Sequence, residues 1–369
     1  MILKKQKTIM NIYYKNTLLL ALLLVSLSMF SQTILKNKIE KTFKMTNAGE
    51  LFIDNKYGDV TINGWDENSI SIIIDIQVSN KKAENAKSLL ERIRPNIKTT
   101  NNYINIVSEI SEKNTSFFSR YFNKVNPFDF DKSDVDIHYT INLPINAEVD
   151  VTNKFGDVIL DNWTGKLKAN VQHGDLWINK SIANANIEIK YGKLRAKSIT
   201  YASLNFKNGT INAEEFENLL LTSSGTNIDI EAINNLELDS SKDDITINTI
   251  GKLDGELNFT NMQVNTLKSH INLIMKVSEF RANTITQPDA YISINQESSD
   301  INLSIENLSF KFKATLEQGV LRLPKTCKNV NTTMIDKGKR IRDIMATYGK
   351  SQKGHITFIG KKGIITLKE

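Results

Sequence analysis

Cysteine is nearly missing from this chain of 369 residues: Cys327 stands alone, so no intramolecular disulfide and no thiolate zinc cluster can form. Only four histidines occur, at positions 138, 173, 270 and 355, and none pairs with another at helical spacing. No His-Glu-x-x-His, no nucleophile elbow and no phosphate-cradling glycine loop appears. The sequence therefore names no catalytic, cofactor-binding or metal-ligating residue. Prolines number five and apolar residues make up 40%, which suits a folded chain rather than a disordered one.

A strong charge of one sign is also lacking. The formal net charge of +6 comes mostly from the first 31 residues, where Lys4, Lys5, Lys7 and Lys15 meet no acid. Without them 43 bases face 41 acids, a net of +2. No basic stripe of the kind nucleic acid requires is left, and none is expected to bind.

Those 31 residues read as a secretory signal: a basic start, the apolar run Leu18 to Phe30, then Ser31 before Gln32. The run of 13 is short of the ~20 residues that span a bilayer, which disfavours an uncleaved anchor. Gln32 stands where a lipoprotein would carry cysteine. The expectation is an exported protein of the periplasm, outer surface or medium, with no transmembrane segment after cleavage.

What the sequence does have is a period. Gly156, Gly174, Gly192 and Gly209 stand 18, 18 and 17 residues apart, and each opens a short alternating strand. Val158, Leu176, Leu194 and Ile211 follow two residues later; Leu160, Ile178, Ala196 and Ala213 follow four later. The pattern continues through Ile228, Ile245, Ile301 and Leu321, with polar residues between. A second strand precedes each glycine, with Leu167, Ala169 and Val171 as its first inward set. Two short strands per ~18 residues describe a β-solenoid, whose rungs stack about 4.8 Å apart and bury each other's apolar faces. An antiparallel sandwich would have no need to hold so steady an interval. Corner glycines are expected to supply φ > 0, and later rungs place Ser, Asn or Asp there instead.

Before residue 150 the grammar differs. Strands are predicted at 69–79, in "YINIVSEI" and in "DVDIHYTINLP". A helix is predicted from an Asn80 cap to Arg94, ended by Pro95, with Ala83, Ala86, Leu89, Leu90 and Ile93 on one face. The predicted organisation is a signal over 1–31, an N-terminal β unit with one helix over 32–150, solenoid repeats over 151–325, and an irregular loop with two terminal strands over 326–369. The fold class is all-β: a right-handed parallel β-helix-like solenoid with a small strand-helix-strand cap. "NKYGDVTINGW" at 55–65 and "NKFGDVILDNW" at 153–163 are near copies, the first opening the N-terminal unit and the second the first full rung.

Three stretches rise above the background. Phe117, Phe118, Tyr121, Phe122, Phe128 and Phe130 crowd residues 114–130, either as a packed cluster or as an exposed loop for a glycan, partner or membrane. Asp129, Asp131, Asp134 and Asp136 have calcium-like spacing but lack the glycine and closing glutamate of an EF-hand. Asp243, Asp244 and Asp300 sit at rung corners, where a carbohydrate-active β-helix would need its acids.

With these residues in view, the chain resembles a bacterial adhesin-like family of unknown function, related to auto-transporter adhesin head domains of Bacteroidetes type. The resemblance rests on "NKYGDVTINGW" followed by "SISIIIDIQV" and a helix, on "YTINLPINAEVDVTNKFGDVIL", and on the Gly-x-hydrophobic-x-hydrophobic rungs, from about residue 45 onward. It implies a β-helical fold and an envelope or extracellular location. Export and a repetitive polar outer face make a glycan or envelope protein the expected partner. It supplies no catalytic residues. No stretch after residue 340 is long enough for a membrane β-barrel. The function expected is a non-catalytic adhesion or ligand-binding module of the cell envelope. A carbohydrate-active enzyme and an envelope scaffold or stress-response accessory are the alternatives.

Overall fold

The computed structural model describes residues 32–111 and 134–369. Residues 1–31, read above as a secretory signal, the aromatic stretch 114–130, Asp129 and Asp131 lie outside the described residues. The chain divides into two compact units, whose described residues are 32–39, 75–95, 108–111 and 134–137 in one and 40–74, 96–107 and 138–369 in the other.

In the smaller unit the helix runs over Ala83–Arg92, shorter at both ends than its pattern suggests. Asn80 closes a turn instead of capping: its Oδ1 accepts the Lys82 N–H at 2.8 Å, and Lys82 is the cap residue. Pro95 does not end the helix either. It sits inside the strand Ile93–Thr100, where an extended residue before proline is the favoured conformation. Ala86, Leu89 and Ile93 are buried, at spacings of three and four.

The larger unit is an open, all-β stack of parallel rungs, each residue pairing with its counterpart one rung away. Leu51, Val149, Leu167, Ala185 and Ala202 form one inward column. Val60, Val158, Leu176 and Leu194 form another. Every member of both columns is buried, and each large aliphatic one contributes about 1.5–3 kcal/mol.

The corner glycines play a different part from the one expected. The left-handed conformation falls on the residue before each: Phe155 (φ 59°), His173 (55°), Tyr191 (58°) and Asn208 (55°). The glycine is required by close approach. A Cβ on Gly174 would lie 1.9 Å from the Gly156 carbonyl oxygen, and one on Gly192 would lie 1.8 Å from that of Gly174. A bulky residue in the left-handed region costs about 1–2 kcal/mol. Here Phe155, His173 and Tyr191 stack face to face, with centroids 5.1 and 4.9 Å apart, so ring stacking of about 0.5–1.5 kcal/mol per pair offsets much of that cost.

Further along, the corner is built from buried side chains. Thr226 N–H donates to Asp243 Oδ1 (2.7 Å), Asp243 N–H to Thr260 Oγ1 (3.4 Å), Thr260 N–H to Ser278 Oγ (3.1 Å) and Ser278 N–H to Ser299 Oγ (3.1 Å). This ladder is why glycine disappears from those rungs: its place is filled by an acceptor for the preceding rung's amide.

At both ends the order of stacking departs from the order of sequence. The strand Val60–Trp65 lies between Asp134–Pro144 and Val158–Asp161, with Val60 opposite both Tyr139 and Val158. The two copies of the repeated phrase are thus adjacent rungs, and the reading that assigns the first to a separate N-terminal unit gives way. At the other end Gly354–Lys361 inserts between Tyr291–Glu297 and Phe310–Glu317. Apolar alternation is the same in every rung, so it carries no information on which rung neighbours which.

Residues 326–353 are not an irregular loop. Lys328–Asp336 and Ile341–Tyr348 form an antiparallel hairpin, and the second strand pairs with Phe310–Glu317. The first was illegible because almost every residue of it is exposed, leaving no inward column to mark it.

Candidate functional site

"NKFGDVILDNW" resolves into structure letter by letter. Asn153 is buried and shares the Gly58 carbonyl with Asn55, whose Nδ2 also donates to Asn153 Oδ1 at 3.1 Å. Asp157 does more than face outward: its Oδ1 accepts the Asp175 N–H, just as Asp59 accepts that of Asp157, both at 2.8 Å. Trp163 is buried and donates from Nε1 to the Ala147 carbonyl, and Trp65 donates to that of Ser69.

The corner acids separate in the same way. Asp243 is 4% exposed and its carboxylate accepts from Ser223 Oγ and Ser240 Oγ, both at 2.6 Å, and from the N–H groups of Thr226 and Ser241. That is a satisfied structural acceptor. Asp244 and Asp300 are exposed and lie on different rungs, paired with Asn261 and Glu279 respectively. Asp134 begins a strand and accepts from Ser79 Oγ at 3.3 Å. The histidines are dispersed as well: His138 lies 3.5 Å from Asp59, His173 stands in the ring stack, His270 stacks on Tyr291, and His355 pairs beside Tyr291. Cys327 is 9% exposed, and burial followed by the Glu369 carboxylate pushes its thiol pKa up.

The feature that invites a ligand lies elsewhere, on the outward face of the strands preceding the corners. There a groove of about 940 Å³ crosses successive rungs. Its floor is the strand backbone at Ala185 and Ala202, paired across neighbouring rungs, whose side chains turn inward. One wall carries Asn184, Tyr201, Asn218 and Asn235; the other carries Asn186, Ser203, Leu220 and Glu237. Tyr201 is 58% exposed and Leu220 47%. Charge collects at the ends. Lys168 donates to Asp150 at 2.8 Å, which raises the lysine pKa, and Lys166 lies 3.5 Å from Glu148. At the far end stand Lys252, Asp254 and Glu237.

Sequence reasoning missed this groove although a signal for it existed. Asn184, Tyr201, Asn218 and Asn235 recur every 17 residues, as do Asn186, Ser203, Leu220 and Glu237.

A parallel β-stack with a lateral groove is the class defined by this geometry. The chain belongs to the Toastrack DUF4097 family, whose model matches residues 48–343. No curated protein matches it in sequence. Among solved structures it is similar to a candidate cell adhesion protein from Clostridium sporogenes, at 14% identity over 90% of this chain and 99% of that one, with a TM-score of 0.17. It is similar too to a candidate adhesin from Parabacteroides merdae, at 10% identity over 73% and 91% and a TM-score of 0.35. A candidate lipid binding protein from Parabacteroides distasonis shares 10% identity over 90% and 97%, at 0.29. At these scores nothing of theirs is transferred to this chain.

Proposed function

We propose that this protein is an exported, non-catalytic module of the cell envelope, a right-handed solenoid with rungs of about 18 residues that binds a glycan or envelope protein through its lateral groove. The observation that carries the reading is the groove itself: a long concavity walled by amides, a hydroxyl, a carboxylate and the half-exposed Tyr201 and Leu220, crossing rungs whose corner acids Asp157 and Asp243 are engaged in structural hydrogen bonds. Surfaces of this mixed character suit reversible recognition, where a few polar groups orient a ligand held against apolar side chains.

Two measurements together test it. Fractionation with protease shaving of intact cells is expected to find the chain outside the cytoplasm and accessible. A glycan array and an envelope pull-down with the purified exported chain are expected to capture a ligand that Tyr201→Ala releases. Capture of neither class, or a cytoplasmic location, would sink the reading.

A further inference from the structure

Resting on the reading of the groove as the binding site, we infer that its ligand is a linear, uncharged glycan lying along the stacking axis, with Tyr201 as the stacking platform and the flanking amides reading hydroxyl groups. Three observations point to this chemistry. The first is charge. The carboxylates lining the groove are five, Glu50, Glu148, Asp150, Glu237 and Asp254, against three lysines. A polyanion such as a uronate chain would meet net repulsion, and two of the lysines already lie against Asp150 and Glu148.

The second is the character of the middle. Between the charged ends, the amides of Asn184 and Asn186 take no partner among the described residues. Asn235 donates to Asn218 Oδ1 at 2.9 Å, which leaves each amide further hydrogen-bonding capacity. An acyl chain would set these polar groups against hydrocarbon at every rung, at a desolvation cost. A pyranose chain presents C–H faces to Tyr201 and Leu220 and hydroxyls to the amide walls, so both kinds of surface are matched.

The third is the repeat. Asn184 pairs with Tyr201 and Asn186 with Ser203, one rung apart. Neighbouring strands lie about 4.8 Å apart, close to the advance per residue of an extended pyranose chain. Successive sugars can therefore lie over successive rungs, with the one over Tyr201 stacked on its ring.

Titration calorimetry on the full exported chain tests the assignment, with cellohexaose and xylohexaose as neutral probes, hexagalacturonate as the anionic probe and oleate as the acyl probe. A neutral hexaose is expected to bind. Tyr201→Ala is expected to weaken it about tenfold and Asn186→Asp to weaken it less, while Tyr191→Ala at the corner leaves it unchanged. Thermal melts of each variant show that the fold is retained. Preference for oleate or hexagalacturonate, lost in Tyr201→Ala, overturns the neutral-glycan class while the groove stands as a binding site. Neutral binding that ignores Tyr201→Ala and Asn186→Asp overturns it as well. If none of the four binds, the assignment fails, and the pull-down alone then decides whether the chain is a binding module.

Discussion

Asp157 and Asp175 are joined by a single hydrogen bond, the Asp175 N–H donating to Asp157 Oδ1 at 2.8 Å, between residues 18 apart in sequence and one rung apart in space. The same bond links Asp59 to Asp157, and Asp175 to the Lys193 N–H. The acid after each glycine is thus an inter-rung staple. Its conserved geometry over three rungs explains why the Gly-Asp phrase imitates a functional motif without being one.

Removing the staple has a defined cost. Asp157→Ala leaves the Asp175 amide without its acceptor and is expected to destabilise the fold by about 1–3 kcal/mol. Asp157→Asn keeps an acceptor oxygen and is expected to lose less. Urea melts followed by circular dichroism compare the two; equal losses would show that the charge, not the hydrogen bond, matters.

The glycines supply a sharper contrast. Gly174→Ala drives a Cβ to 1.9 Å from a backbone carbonyl and is expected to cost about 3 kcal/mol or more. Gly225 has φ +65°, and a Cβ there meets the Asn208 side chain at 2.7 Å, which can turn aside. Gly225→Ala is expected to cost only about 1–2 kcal/mol. A melt in which Gly225→Ala is the worse variant would refute close approach as the role of Gly174.

Asp243 separates structural from catalytic readings of the corner acids. Asp243→Ala strands two hydroxyls and two backbone amides and is expected to lower stability by about 2–4 kcal/mol. Asp300→Ala, at an exposed position, is expected to stay within about 0.5 kcal/mol of the parent. A polysaccharide-cleaving activity abolished by Asp300→Ala with unchanged stability would establish the enzyme alternative instead.

Cys327 provides a pH test. Its folded pKa is raised, so the folded chain holds the thiol proton more tightly than the unfolded one. The associated stability is fully present below the unfolded thiol pKa and is lost as pH rises through the folded value. Labelling by a thiol reagent at pH 8 is expected to be slow in the native protein and fast in urea. Equal rates would show that Cys327 is open to solvent.

Much of the architecture was readable in the chain because a stacked rung must repeat its inward residues at the rung interval. Val158, Leu176 and Leu194 announced their column in this way, and the alternating strands from Ser69 to Asn80 and from Tyr103 to Ile110 needed no more than period two. The hairpin strand at Lys328–Asp336 escaped because it has no buried side to write into the sequence. The groove was half legible: its 17-residue recurrence is present in Asn184, Tyr201, Asn218 and Asn235, but outward residues face solvent and any polar type satisfies them equally, so recurrence alone marks no site.

Periodic burial, then, is what the amino-acid order determined alone: all-β, stacked, with these residues inside, because apolar alternation at a constant interval can be buried in few other ways. Tertiary structure decided which rungs are neighbours, since all rungs share one pattern and only the chain's return paths set Val60 against Val158 and Ile356 between Ile292 and Phe312. It also decided what the corner glycine is for. The sequence permits φ > 0 or a close approach at Gly174, and only the carbonyl of Gly156, brought within reach by stacking, chooses between them.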